Sequence, residues 1–198
     1  MIKKLCVIGA GTMGAGIAQV AVEKGVKVAI RDIEDRFVEK GLGTIRNFLG
    51  RKVEKGKLSK DEHDAILGRL KGTTSMEDAT AGADMVIEAV VEDMTLKQNV
   101  FAELDKLCPP QVILASNTST LSITEIASAT KNPQRVLGTH FFSPVPVMRL
   151  VEVISGDKTD EKVLKSALDI MAAFGKTPIR AKDVPGFIVN RFLCLLYN

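Results

Sequence analysis

At 198 residues, 45% hydrophobic and 26% charged, the chain is long enough for one well-buried globular domain and too balanced for a disordered or fibrous one. A net charge of only +3, no Trp and a single Tyr argue against a nucleic-acid binder built on a global positive field or on base stacking. Cys6, Cys108 and Cys194 are scattered and odd in number, which predicts reduced thiols in a cytoplasmic protein, with neither a disulfide framework nor a metal site.

Taken in chain order, Leu5 to Ile8 is a short apolar run ending in glycine, the pattern of a buried parallel strand. A strand so soon after Met1 leads us to expect no signal or transit peptide, and no apolar run approaches the roughly 20 residues of a membrane span. Ala15 to Glu23 has helical spacing and stops at Gly25, Val26 to Ile30 is a second strand, and Glu34 to Leu49 is an amphipathic helix. Ser59-Lys60-Asp61-Glu62 is a capping box that opens a further helix. A short strand near Thr73 follows, then a strand Met85 to Ala89, a helix Thr95 to Leu107 halted by two prolines, and a strand Val112 to Ala115. Ser122 caps a short helix, and Val136 to His140 and Leu150 to Ile154 are strands separated by a loop that Pro144 and Pro146 enforce. Asp160 to Phe174 is an amphipathic helix, and Pro178 to Ala181 is the last strand.

This alternation predicts an α/β, Rossmann-type fold: a mostly parallel sheet flanked by helices, with a helix-turn-helix insertion at about 44–70 after the second strand. Ligands of such sheets sit beyond the carboxyl ends of the strands. The loops after Ile8, Ile30, Ala89, Ala115 and His140 therefore share one rim.

Gly9-Ala10-Gly11-Thr12-Met13-Gly14 is a GxGxxG loop between a buried strand and a helix, and Asp32 ends the strand that follows. Gly9 permits the tight turn, Gly11 lets backbone approach a pyrophosphate, and Gly14 lets the helix pack on the strand. The helix N-terminus favours the phosphate charge. A carboxylate at Asp32 suits ribose hydroxyls and repels a 2′-phosphate, which selects NAD over NADP although Arg31 lies beside it.

Two histidines are available for proton transfer. His63 sits in a charged helix face and reads as solvated. His140 ends a strand on the ligand rim. Glu152 stands in the middle of Leu150-Val151-Glu152-Val153-Ile154, and an acid in so apolar a strand calls for a partner. A turn at Ser143 to Pro146 would bring it to His140. Such a carboxylate fixes the imidazole tautomer and favours its protonated form, so the ring can take a proton from an alcohol as hydride departs.

Ala115-Ser116-Asn117-Thr118-Ser119-Thr120-Leu121, His140-Phe141-Phe142-Ser143-Pro144, Leu150 to Ile154 and Pro185-Gly186-Phe187-Ile188-Val189-Asn190-Arg191 together resemble the L-3-hydroxyacyl-CoA dehydrogenase family. That family includes the 3-hydroxybutyryl-CoA dehydrogenases, and the resemblance runs from Lys3 to about Leu193. It implies His140 as catalytic base, Glu152 as its orienting partner, and Ser119 and Asn190 as hydrogen-bond donors to the substrate's 3-oxygen. It also implies Glu92 and Lys97 near the ribose and nicotinamide, with Ser119 and Ser143 completing that end. Many members carry Asn at 143, where Ser143 reaches less far, and Thr120 replaces their usual Ser or Ala.

Arg46, Arg51, Lys52, Lys55, Lys57 and Lys60 form a local basic excess, which composition alone reads as a solvated helix pair. The resemblance implies instead that these cations face coenzyme A, with Lys52 foremost and Ser119 also touching the substrate. Residues 1–183 are expected to form the cofactor domain and 184–198 to begin a helical one. Phe187 to Tyr197 is apolar on nearly every side, and family members continue into a helical domain of about a hundred residues that provides the homodimer contact. The expected reaction is NAD-dependent oxidation of an L-3-hydroxyacyl-CoA, or its reverse, with no nucleic-acid or membrane partner. Two alternatives stay open: a dehydrogenase of a hydroxy acid without CoA, and a non-catalytic NAD-binding module.

Overall fold

The computed structural model describes residues 2–197, and side chains as far as residue 193. An 8-stranded sheet runs in the order β3-β2-β1-β4-β5-β6-β7-β8. Its strands are β1 (Lys4–Ile8), β2 (Lys27–Arg31), β3 (Leu70–Thr73), β4 (Met85–Glu88), β5 (Ile113–Ser116), β6 (Val136–Phe141), β7 (Leu150–Ser155) and β8 (Thr177–Lys182). The strands from β3 to β6 are parallel, β7 is antiparallel to β6, and β8 is parallel to β7. The order reverses between β1 and β4, the switch point at which a doubly wound sheet opens a crevice for ligand.

Helices α1 (Thr12–Glu23), α2 (Asp35–Glu54), α3 (Lys60–Leu67), α4 (Met76–Thr80), α5 (Met94–Leu107), α6 (Ile123–Ala127), α7 (Glu161–Ala173) and α8 (Val189–Tyr197) connect the strands and flank the sheet. Apolar side chains alternate between two buried clusters. Leu5 and Val7 point into one, with Ile17, Ala18 and Ala21 of α1 and Leu42, Ile45 and Leu49 of α2. Cys6 and Ile8 point into the other, with Val100, Phe101 and Leu104 of α5 and Ile123 and Ile126 of α6. That two-sided burial is why the central strands read as continuous apolar runs.

Several elements differ from expectation, among them α1, which begins at Thr12 and not at Ala15. Helix α2 does not stop at Leu49 but runs through Gly50 to Glu54, so a boundary at 44 falls inside one continuous helix. Gly50 meets nothing within 4 Å where a side chain would stand, while Arg51 and Lys52 in the last turn complement the helix dipole. Helix α4 was not foreseen, because five residues are too few to show a period; its signal is Ser75, whose side chain accepts from Asp78 N. Helix α8 begins at Val189, after a turn in which Gly186 and Phe187 both take positive φ and Phe187 is buried. The capping box on α3 is present, with both the Ser59 and Glu62 bonds made. Among the described residues, no helix is long and apolar enough to cross a membrane.

Cys6 and Cys108 are free thiols in the core. Loss of solvation pushes the Cys6 thiol up to about 12 and raises that of Cys108 as well. Because the thiolate is the nucleophile, neither should react with a disulfide reagent in the folded protein at neutral pH, while both react after unfolding. Peptide mass mapping before and after denaturation checks this, and native-state labelling of Cys6 would contradict it. The Cys194 side chain lies outside the described residues.

Candidate functional site

The glycine loop forms at the end of β1. Gly9 has φ 103°, and a Cβ there would lie 2.5 Å from the Ala89 carbonyl oxygen, so the loop after β1 sits directly on the loop after β4. A Cβ on Gly14 would lie 1.8 Å from the Gly9 carbonyl oxygen, whereas one on Gly11 would meet nothing within 4 Å. The first and third glycines are thus demanded by the protein's own packing, and the second leaves room for something else. Asp32 accepts from Ala10 N at 2.7 Å through one oxygen and from Ile33 N at 2.7 Å through the other. Each oxygen keeps a lone pair for a ribose hydroxyl. Ala10, Gly11, Thr12 and Asp32 share a cavity of about 200 Å³ with Phe37, Lys40 and Thr44 of α2. None of the three is expected here from the sequence: Lys40 and Thr44 mark only the polar edge of an amphipathic helix, and Phe37 reads as part of its apolar face. The cavity, the room at Gly11 and the N-terminus of α1 fit the adenosine and pyrophosphate of NAD.

His140 and Glu152 are directly opposed in the antiparallel pair β6–β7. The imidazole Nδ1 lies 2.7 Å from a carboxylate oxygen of Glu152, and both side chains are buried. The second Glu152 oxygen accepts from Ile188 N at 2.8 Å and Val189 N at 3.0 Å, where α8 begins. One buried acid therefore holds the histidine and caps a helix. Against the ionised carboxylate Nδ1 must carry its proton, which leaves Nε2 as the acceptor. Nε2 makes no hydrogen bond among the described residues. Rings of Phe142 and Phe187 flank the imidazole at centroid distances of 4.5 and 5.8 Å. His63, by contrast, lies on α3 with Nδ1 2.8 Å from the exposed Asp64 carboxylate.

Ser119 and Asn190 are brought together: Asn190 Nδ2 donates to the Ser119 carbonyl oxygen at 3.3 Å, and the Ser119 hydroxyl makes no bond among the described residues. Glu92 accepts from Ser119 N at 2.9 Å and from the Thr118 hydroxyl, fixing that turn to the loop after β4. Partial burial works against its charge, yet the bonds from Thr118 and Ser119 and the Lys97 ammonium outweigh this and hold the Glu92 carboxyl below the usual range. Lys97 is not a surface residue. It is 1% exposed, with its ammonium 2.6 Å from Glu88 and 3.3 Å from Glu92, so Glu92 stands between it and the cleft.

Glu88 and Asn117 were missed from the sequence. Asn117 Oδ1 accepts from Phe141 N at 3.0 Å and ties the end of β5 to the end of β6, beside His140. Ser143 is exposed and begins the turn between β6 and β7, joined to Pro144 by a cis peptide bond. Lys52 is already paired: its ammonium lies 2.5 Å from Glu23 and over the Phe48 ring. It lines a cavity of about 250 Å³ between α1, the second half of α2 and residues 146–149, with Lys24, Arg149 and Lys176 as further cations.

Residues 4–184 match the family described as the NAD-binding domain of 3-hydroxyacyl-CoA dehydrogenase. The whole chain is 47% identical to a probable 3-hydroxybutyryl-CoA dehydrogenase of Bacillus subtilis, over 68% of that protein's length. It is 45% identical to a 3-hydroxyadipyl-CoA dehydrogenase of Escherichia coli, over 96% of this chain and 40% of that one. Among solved structures, an (S)-3-hydroxybutyryl-CoA dehydrogenase from Ralstonia eutropha superposes with a TM-score of 0.96 at 42% identity, covering all of this chain and 70% of that one.

Proposed function

The chain belongs to the 3-hydroxyacyl-CoA dehydrogenase family through its NAD-binding domain, and on that premise we propose that it oxidises L-3-hydroxyacyl-CoA thioesters to 3-oxoacyl-CoA, or runs the reverse reduction, with His140 as the acid/base. The observation that carries this reading is the buried His140–Glu152 pair on the ligand rim. Gly9, Ala10, Gly11, Thr12, Met13, Gly14 and Asp32 would hold the adenosine and pyrophosphate of NAD, with Glu92, Lys97, Ser119 and Ser143 at the nicotinamide end. Bound there, NAD supplies the acceptor for the hydride that leaves C3 of the substrate.

The chain's own residues manage the proton. Nε2 of His140 accepts it from the 3-hydroxyl, and Glu152 stabilises the imidazolium that forms. Ser119 and Asn190 would orient the 3-oxygen, one through a free hydroxyl and the other from the first turn of α8. Phe142 and Phe187 exclude water from one side of the ring, which strengthens the His–Glu interaction. In the reverse direction the same imidazolium returns the proton.

Lys52, with Lys24, Arg149 and Lys176 lining the same cavity, would meet the phosphates of coenzyme A, and Glu23 would have to share Lys52. Residues 1–183 would form the cofactor domain and 184–198 would open a helical one. Ile188, Phe192 and Leu193 are exposed and suit burial against that domain, which would carry the homodimer contact. The buried free thiols Cys6 and Cys108 are in keeping with a cytoplasmic enzyme.

The direct test is NADH oxidation in the presence of acetoacetyl-CoA by the protein carrying that helical domain. Turnover dependent on the CoA thioester is expected. A protein that leaves acetoacetyl-CoA untouched but reduces a free keto acid would place the substrate outside the thioesters.

A further inference from the structure

We propose that Glu88 is a positioning residue that keeps the nicotinamide end of the cleft net negative, and so favours the oxidised cofactor over the reduced one. Glu88 ends β4 and is fully buried. One of its oxygens accepts from Val90 N at 2.7 Å and from the Lys97 ammonium at 2.6 Å, and the other accepts from the Ser116 hydroxyl at 2.7 Å. Lys97 stands on the buried face of α5, in line with Val100, Phe101 and Leu104. Only Glu92, with a side chain 40% exposed, carries this group of three to the rim.

Stability is a weak reason for such an arrangement. A buried ion pair costs so much solvation that apolar residues of similar volume usually serve as well or better. Charge does account for it. Lys97 and Glu92 alone would cancel, and a neutral rim would result. Because Glu88 takes the nearer share of the ammonium, two carboxylates face one cation and the group sums to one negative charge.

The nicotinamide half of a bound dinucleotide lies over the second half of the sheet, beyond the ends of β4 and β5. Its ring is a cation in NAD+ and neutral in NADH, while the rest of the molecule is unchanged. A fixed negative charge close by therefore acts on one form only. The inference rests on the reading of this rim as the nicotinamide side.

Titration of the chain with NADH, and displacement of NADH by NAD+, gives both dissociation constants. Glu88→Gln neutralises the group and should raise the ratio of Kd for NAD+ to Kd for NADH by about five-fold, the size of a single charge acting through partly solvated surroundings. The double variant Glu88→Gln/Lys97→Met lacks the ion pair altogether yet regains one net negative charge from Glu92. Its ratio should return to within about two-fold of the wild type. Equal losses for both cofactor forms in the single variant are what damaged packing produces and would overturn the proposal, as would a ratio that stays high in the double, whose net charge equals that of the wild type. If the single variant does not fold, Glu92→Gln leaves the buried Glu88–Lys97 pair intact and neutral, so the ratio should rise there as well, and an unmoved ratio overturns the proposal equally. Failure of the wild-type chain to bind either form overturns the cofactor reading and this inference with it. Wild-type binding with unmoved ratios overturns the inference alone.

Discussion

Replacing His140 with Gln is expected to lower kcat by about 10³-fold, the middle of the range for loss of a general acid/base, while the Kd for NAD changes less than about three-fold. The amide fills nearly the same volume and can still donate to Glu152, so the β6–β7 pairing and the Phe142 and Phe187 contacts survive. What is lost is a nitrogen that can hold and release the proton. Glu152→Gln makes the complementary case. Its carbonyl oxygen can go on accepting from Ile188 N and Val189 N at the start of α8, but its amide then points a donor at Nδ1. The imidazole must turn to the other tautomer, with its proton on Nε2, where the substrate hydroxyl needs an acceptor. A loss of at least about 10²-fold follows although no histidine has been touched. Steady-state rates with 3-hydroxybutyryl-CoA, alongside circular dichroism to confirm folding, check both. An unchanged kcat in His140→Gln would remove the histidine from the mechanism.

How much of this was legible in the sequence follows the distance over which each signal acts. The glycine loop, the strands around it and Asp32 are written within one βαβ unit, and the structure places them together as expected. The His140–Glu152 pair is also short in range: one acid in an apolar strand, and one proline-bearing turn back to the preceding strand. Glu88 and Lys97 were harder. The lysine stands on the apolar stripe of α5 and the acid closes a buried strand, so each carries a local oddity, but only the parallel packing of β4 and β5 brings Glu88 to Ser116. Lys52 shows the limit more sharply. Its place on a basic helix was plain, while its pairing with Glu23 depends on how α1 and α2 cross, which no periodicity encodes. The start of α8 was misplaced for a different reason. The apolar run does begin at Phe187, yet the turn with Phe187 at positive φ uses that side chain to cover His140 before the helix begins.

Two glycines of the phosphate loop should separate packing from binding. Gly14→Ala puts a methyl group 1.8 Å from the Gly9 carbonyl oxygen and 3.3 Å from a Val7 methyl, and backbone on the far side cannot yield as a flexible side chain would. The loop or α1 must shift. Overpacking of this kind costs up to about 3 kcal/mol or somewhat more, which in a chain of this length lowers Tm by roughly 6–12 °C. Because the same carbonyl shapes the turn that meets the pyrophosphate, NAD affinity should fall about 100-fold in whatever remains folded. Gly11→Ala has the opposite profile. Its φ of −66° suits any residue and its methyl meets no protein atom, so stability should fall by no more than the roughly 1 kcal/mol of a changed helix cap, about 2–4 °C in Tm. That methyl does, however, enter the space where the second glycine of such a loop admits the pyrophosphate, and NAD affinity should fall just as far. Thermal melts and NADH titrations of the two variants side by side give the comparison. If Gly11→Ala binds NADH as well as the wild type, the phosphates do not lie against this loop.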